Sequence, residues 1–560
     1  MKKRIAAMLL ICLLLLCACS AEPSTGVDET GSAVPIDSAA SQESGHTEGP
    51  DDNPGGLQLC YDDRYTFPEE ITEIRTVEVT STSVETGATD AAVLTLAEGS
   101  TVIATGTGSA EVLLASGETV TVTVSPAPIS LLFLFGQSNT EGMILSNNPQ
   151  ACAAARGQSV LCEEGQVYST YAPYHTEHGS NIGGVSFTQA LSVSNAADFV
   201  ASSLTSDRNT SGELLEYPLN QLSRADGGKS GMDSAIAYEW NRLTGEKVWV
   251  VNAAHCGSSI STWQPGEGET DNDFWQAVGV GKACQAVLTA EIEAGHYRFS
   301  RMGYFWLQGC ADRTWSAQQY TDSFRAMHGG LTEQLSCDLN GDGTAETLSF
   351  AGIVLVRNPV TSLTPLDLQL NGPRTSQIYM GTTDDADFET VFLASTLGDL
   401  WISDRNVEEF YRQSYPDGEL SFPVRQSYPI PATVSEVHPD IHYRQPGYNE
   451  LGFDAVRNIL ELLSDAEPQM EEVLVYHPDG YTVYGDQELL TLQTGEMQPI
   501  AALGAAGSLT AKGITIQSDC PGLTVFCNTL IAANDAAGAT GTLRILLGDE
   551  LVLTLQVKII

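Results

Sequence analysis

The strongest constraint on the fold lies between about residues 130 and 465, where short apolar runs recur with amphipathic stretches between them. Ser130–Phe135 (SLLFLF), Val248–Asn252 (VWVVN), Met302–Leu307 (MGYFWL) and Phe350–Val356 (FAGIVLV) are each a few residues long and carry almost no polar side chain. A strand with one face in water alternates apolar with polar residues, whereas a strand covered on both faces has no reason to alternate. Ser234–Leu243, Trp315–Leu335 and Tyr448–Leu463 place their apolar residues at helical spacing instead. Buried strands alternating with helices predict an α/β domain built on a parallel sheet with helices on both faces. Ligands of such sheets sit at the carboxyl ends of the strands, so that edge is where chemistry is expected.

The flanking segments have a different rhythm. Residues from about Cys60 to Pro126 are rich in Thr, Val, Ser and Gly, with alternating runs such as Thr119–Val124 (TVTVTV) that predict antiparallel strands. The end of the chain repeats the pattern. Thr107–Val124 reads TGSAEVLLASGETVTVTV, and Thr540–Val557 reads TGTLRILLGDELVLTLQV. Both segments are similar to bacterial immunoglobulin-like modules. The predicted organisation is therefore two small all-β sandwiches, 57–127 and 467–560, on either side of an α/β domain at 128–466.

Before these comes a segment with another purpose. Lys2, Lys3 and Arg4 precede an apolar run from Ile5 to Leu16, too short to span a bilayer and suited to a secretion signal. Its end, Leu16-Cys17-Ala18-Cys19, resembles the lipobox of bacterial lipoproteins, and that resemblance implies a signal peptide over 1–19 and a lipid on Cys19. Residues 20–56 are rich in Ser, Gly, Pro, Asp and Glu, with hardly any large apolar residue and without a single Lys or Arg, which predicts a disordered acidic tether. Over the 560 residues, 71 acidic against 26 basic side chains give a net charge of −45, which excludes a nucleic-acid binder working by phosphate neutralisation. The implied setting is a bacterial cell surface or envelope, with contact to the membrane through the lipid alone. No protein partner is predicted. Of the 12 Cys, Cys12 and Cys17 would leave with the signal; Cys152 with Cys162, and Cys520 with Cys527, are close enough in sequence to pair in an oxidising exterior.

Two motifs bracket the α/β region. The first apolar run ends in Gly136-Gln137-Ser138-Asn139, which puts a hydroxyl at the mouth of the sheet beside a Gly able to turn sharply. Near the far end stands Asp440-Ile441-His442. A serine nucleophile needs a base to accept its proton, and the base needs a carboxylate to fix its tautomer. Together the two motifs resemble the SGNH hydrolases, and within them the sialate O-acetylesterase-like branch that includes carbohydrate esterase family 6. Asn252-Ala253-Ala254-His255-Cys256-Gly257-Ser258 and Trp306-Leu307-Gln308-Gly309 look like two further blocks of that branch, in the same order. Arg374-Thr375-Ser376-Gln377 is similar to a supporting R-x-x-Q stretch.

The resemblance implies an SGNH-type three-layer fold and a surface serine esterase that removes O-acetyl groups from an acetylated glycan such as sialic acid or xylan. Ser138 would attack, His442 would carry the proton and Asp440 would orient the imidazole. The oxyanion would be held by the N–H groups of Ser138 and Gly257 and by the Gln308 amide. No cofactor is implied for catalysis. Cys256 and Cys310 stand where the family often has Gly and Glu, as packed thiols or as a disulfide, and they bear on the pocket more than on the triad. His255 and His438 compete as bases on residue type alone; His255 reads as a pocket or packing residue. Trp263, Trp315 and Tyr443 are candidates for stacking on a sugar, with core packing an equal alternative for aromatics near strand ends. Separately, Asp338, Asn340, Asp342 and Glu346 fall at positions 1, 3, 5 and 9 of a loop with Gly343 at position 6, the spacing of a calcium site, although position 12 is Ser349 and a strand follows. Two readings of this loop stand side by side, a structural calcium site and an ordinary polar turn. Two other readings fit the same residues: a lipase or thioesterase of the superfamily, or a glycan-binding lipoprotein without catalysis.

Overall fold

The computed structural model describes residues 56–144 without Glu85, 167–171, 229–266 without Cys256, 272–356, 372–397, 419–422, 426–429, 443, 445–464, 470–477, 480–503, 509–526 and 528–560. Cys19 and the tether, Cys152, Cys162, Cys256, Cys527, His438, Asp440 and His442 lie outside the described residues.

Six strands form one sheet: β1 (Ala127–Gly136), β2 (Val167–Tyr171), β3 (Lys247–Asn252), β4 (Tyr297–Leu307), β5 (Phe350–Val354) and β6 (Val391–Ser395). Their order is β2-β3-β1-β4-β5-β6, and each pairing is parallel. Strand β1 is buried along almost its whole length, as its unbroken apolar run requires. Its side chains divide between two cores by the two-residue period of a strand. Ile129, Leu131, Phe133 and Phe135 pack with residues of α3 (Asp273–Glu293) and α4 (Ala317–Gln334). Leu132 and Leu134 pack with residues of α2 (Asp233–Thr244) and α6 (Gln445–Leu462) on the opposite face. The expected α/β class with a covered parallel sheet is thus the observed one.

Helix α3 had no counterpart in the sequence reading, for a physical reason. Phe274, Ala277, Val278, Val280, Cys284 and Leu288 are all buried, so the helix is apolar over much of its circumference and shows little periodicity. It also contains Gly281, where an added Cβ would lie 2.6 Å from a methyl group of Leu335. The glycine lets α3 pack against the end of α4 at the cost of weakening the sequence signal for a helix.

The flanking regions are two-layer β units. In the first, a four-stranded and a three-stranded sheet share a core of Phe67, Val93, Val102, Ala110, Val112, Val122 and neighbours. In the second, a five-stranded and a four-stranded sheet enclose Val473, Leu490, Ile500, Leu530, Leu543, Leu555 and others. The repeated sequence pattern is a hairpin in both, Gly108–Leu114 with Thr119–Ser125 and Thr540–Leu547 with Glu550–Ile559. In each unit an early strand also pairs in parallel with the last one.

The first β unit is joined to the α/β region by partly buried polar contacts. Lys247 Nζ lies 2.7 Å from Asp63 Oδ1, and the Tyr297 hydroxyl donates to Asp62 Oδ2 at 2.9 Å. His296, which is buried, has Nε2 2.8 Å from Asp90 Oδ2 and Nδ1 2.6 Å from Glu291 Oε2, while its ring stacks on Tyr61 at 4.3 Å. Burial pushes the imidazole pKa down, but the bonds to Glu291 and Asp90 outweigh it and hold the pKa above its ordinary value. A raised folded-state pKa gives stability that is fully present below the unfolded value of about 6.5 and is lost as pH rises through the folded value. His296→Gln is therefore expected to cost about 2 kcal/mol near pH 6 and clearly less at pH 9. Urea denaturation of the two proteins at both pH values checks this, and an equal loss at both would contradict it.

Candidate active site

The strand order reverses at β1: the chain runs out to β2, returns through β3 on one side of β1, and continues through β4 on the other. Such a switch point opens a crevice at the carboxyl ends of the strands. Gly136, the last residue of β1, has φ of 140°, and a Cβ there would lie 2.4 Å from the Leu307 carbonyl oxygen and 2.5 Å from Thr140 Oγ1. Only glycine meets both demands. The turn leads through an extended Gln137 into α1 (Ser138–Glu141), a single helical turn with Ser138 as its first residue. Gln137 Oε1 accepts the N–H groups of Gly309 and Ala311, both at 3.3 Å, which ties this turn to the end of β4.

The loop after β3 runs beside the same turn. The Gly136 carbonyl accepts the His255 N–H at 3.0 Å and the Ser258 hydroxyl at 3.3 Å. Asn252, the last residue of β3, donates its side-chain amide to the carbonyl of Thr140 and to Asp233 Oδ1, both at 2.8 Å. Gly257 is exposed with φ of 75°, and nothing lies within 4 Å of the Cβ position. The structure thus brings Ser138 and the Gly257 loop to one corner of the sheet.

Gln308 reaches that corner in a different role from the one expected. It is fully buried, and its Nε2 donates to the Ser258 carbonyl at 3.0 Å and to Asp312 Oδ2 at 2.6 Å, while Oε1 accepts the Tyr320 hydroxyl at 2.7 Å. Both amide protons are committed to these partners, so in this conformation Gln308 braces the loop and does not offer a proton to an oxyanion. The residue that sequence reasoning missed is its partner. Asp312, also fully buried, accepts the Ser259 hydroxyl, the Ile260 N–H at 2.8 Å and the Gln308 amide. An Asp in a turn four residues after Gln308 gives no sequence signal that separates it from an ordinary turn residue.

Further polar links run outward. On α5 (Gly372–Thr382), Gln377 donates to the Gln308 carbonyl at 2.6 Å and accepts the Val356 N–H at 2.9 Å, and Arg374 donates to the Val356 carbonyl at 2.8 Å. From the far end of the chain, the Tyr448 hydroxyl on α6 donates to Asn139 Oδ1 at 3.0 Å. Tyr443 is buried edge-to-face against Tyr448, and Trp263 is buried against Phe135 and Trp306. Neither ring presents a face to a sugar, because both are core residues. Trp315 is half-buried and packs against the core as well.

In the Asp338–Glu346 loop the polar side chains bond within the loop. Asp338 accepts the N–H groups of Asp342 and Gly343 at 3.1 and 2.9 Å, Asp342 accepts that of Thr344, and Glu346 accepts from Leu339 N–H and the Asn340 amide. Among the described residues no three His, Cys, Asp or Glu side chains are grouped as ligands of a cation. Nor is any described helix long and apolar enough to cross a membrane.

Neither a family model nor a curated protein matches the chain. Similar solved structures include a carbohydrate acetylesterase from Xanthomonas citri, at 16% identity and a TM-score of 0.33, covering 90% of this chain and 96% of that one. They also include NanS, at 12% identity and a TM-score of 0.31, covering 60% and 98%. A protein from Arabidopsis thaliana matches at 12% identity and a TM-score of 0.27, covering 59% and 97%. At these identities and scores the chemistry has to be decided by the residues of the site.

Asp312 offers a direct check of the architecture. Asp312→Ala leaves two buried donors and the half-buried Ser259 hydroxyl without their acceptor and is expected to cost about 3 kcal/mol, with Asp312→Asn milder because an acceptor oxygen remains. Denaturant unfolding of the two variants measures the difference, and a loss under 1 kcal/mol in Asp312→Ala would show that the network is replaceable.

Proposed function

We propose that this chain is a serine esterase that removes acetyl groups from carbohydrate, with Ser138 as nucleophile. The observation that carries the reading is the placement of Ser138: first residue of a helical turn, directly after the central strand, at the switch point of a covered parallel sheet. The Tyr448–Asn139 bond is a second support, since it brings the helix that follows the Asp440-Ile441-His442 motif in sequence against the nucleophile's own turn.

In this reading the Ser138 hydroxyl adds to the ester carbonyl as His442 accepts its proton, with Asp440 holding the imidazole in the tautomer that has Nε2 free to do so. The tetrahedral intermediate collapses, the C–O bond to the sugar breaks, and His442 returns the proton to the departing alkoxide. Water then repeats the sequence on the acetyl-enzyme, releasing acetate. The first residue of a helix has an N–H without an intrahelical acceptor, so in this proposal Ser138 N–H is one donor to the developing oxyanion and Gly257 N–H the second. The lipid on Cys19 and the acidic tether complete the proposal, holding the enzyme at a bacterial surface.

Ser138→Ala is expected to lower acetate release from acetylated glycans by at least about 1,000-fold with an unchanged unfolding midpoint, and His442→Ala to do much the same. Activity surviving in Ser138→Ala would remove it from the mechanism. Among p-nitrophenyl esters the acetate should be turned over fastest; a preference for long acyl chains would favour a lipase, and no hydrolysis of any ester by the parent would favour a glycan-binding protein. Labelled fatty acid should be incorporated by the parent expressed in a bacterium and not by Cys19→Ser.

A further inference from the structure

The turn that carries Ser138 is a helix of only four residues, too short to hold its own shape, so its geometry comes from what its residues are tied to. Gln137 accepts the N–H groups of Gly309 and Ala311, the Thr140 hydroxyl donates to the Leu307 carbonyl at 2.8 Å, and the Thr140 carbonyl accepts the Asn252 amide. These ties run to the ends of β4 and β3, in the layer of the sheet. Asn139 is tied in another direction. Its Oδ1 accepts the hydroxyl of Tyr448, a residue 309 positions away in the second turn of α6, and both side chains are buried. The helix that supplies this hydroxyl is itself fixed along its length. Asp454 accepts the Ser395 hydroxyl at 2.6 Å, Asn458 donates to the Ala394 carbonyl at 2.7 Å, and Arg457 Nε lies 2.6 Å from Glu239 Oε1 on α2. At Gly452 an added Cβ would lie 2.8 Å from Ala235 Cβ, so α6 and α2 are in close contact. The Tyr448 ring is packed edge-to-face on Tyr443 at 5.6 Å, which fixes where its hydroxyl points.

We infer that Tyr448 is a positioning residue for the acyl transfer: its hydroxyl, through Asn139 Oδ1, holds the turn of Ser138 against α6. Ties to the strand ends alone leave a single helical turn free to tip about them. A tether from the helical layer removes that freedom, and it is effective because α6 is anchored to α2 and to the end of β6 by side chains of its own. The bond is shielded from water, so no solvent molecule takes its place when it is lost. The physical ground is that catalysis and stability weigh such a bond differently. One neutral hydrogen bond adds little to the stability of a domain this size, whereas a displacement of the nucleophile by about 1 Å can cost about 100-fold in rate. The inference rests on the reading of Ser138 as the nucleophile.

The test is Tyr448→Phe, which removes the hydroxyl and keeps the ring that packs on Tyr443. With p-nitrophenyl acetate its kcat should fall about tenfold or more while KM changes less than about twofold. Asn139→Ala should lose a similar factor, and the double variant should be no slower than the slower single one, because both changes cut the same bond. Titration with a fluorophosphonate counts the reactive serines, so that kcat is expressed per competent site and partial unfolding does not mimic the effect. A kcat per site in Tyr448→Phe within about twofold of the parent's overturns the positioning role, even where the unfolding midpoint has dropped, because a purely structural bond would move the midpoint alone. Losses that multiply in the double variant overturn it as well, since the two side chains would then act separately. Hydrolysis that persists in Ser138→Ala would instead overturn the esterase mechanism, and this inference with it.

Discussion

The Gly136 carbonyl accepts the His255 N–H and the Ser258 hydroxyl at the point where β1 leaves the sheet, and the rest of the site is arranged around that junction. It is well defined because β1 is immobilised on all sides. Parallel neighbours take its backbone bonds, and two helical layers take its side chains. A strand end with no freedom of its own passes a defined position to the next two residues, and Ser138 is the second of them. The large burial around β1 thus serves placement as well as stability.

Around the junction lies a chain of buried polar groups. Asp312 binds Ser259, Ile260 and Gln308; Gln308 binds Ser258 and Tyr320; Tyr320 and Gln377 bond at 3.1 Å; Gln377 and Arg374 hold Val356 at the end of β5's continuation. Buried polar groups are costly unless satisfied, and a satisfied network specifies one arrangement of the loops that carry it. Here the loops belong to β3, β4 and β5, so three strand ends are held to one geometry. That explains why an amide expected to bind an oxyanion is engaged with protein instead: it is the link through which Asp312 reaches the loop of Gly257.

The covered parallel sheet was legible because its signal is local. A strand apolar on both faces announces itself in six residues, as Ser130–Phe135 does, and the amphipathic helices at 234–243, 315–335 and 448–463 do so in three turns. Helix α3 was not legible, because a helix buried on several sides loses the contrast between faces. Ser138 stood out because Gly136 and the apolar run beside it are sequence neighbours. Asp312 did not, because its partners Ser259 and Ile260 are brought to it only by the return of the chain. Trp263 and Tyr443 show the limit of a local signal, since aromatics near strand ends fit a core or a sugar platform equally well and only the fold turns these two inward.

By itself the sequence determined the class of the central domain, the strand that leads into Ser138, and the β-rich hairpins on either side, since each depends on periodicity or on adjacent residues. The strand order, the junction at Gly136, the pairing of Tyr448 with Asn139 and the commitment of the Gln308 amide were decided by tertiary structure. These depend on which of several chemically equivalent partners comes within about 3 Å, and that is set by packing between segments far apart in the chain.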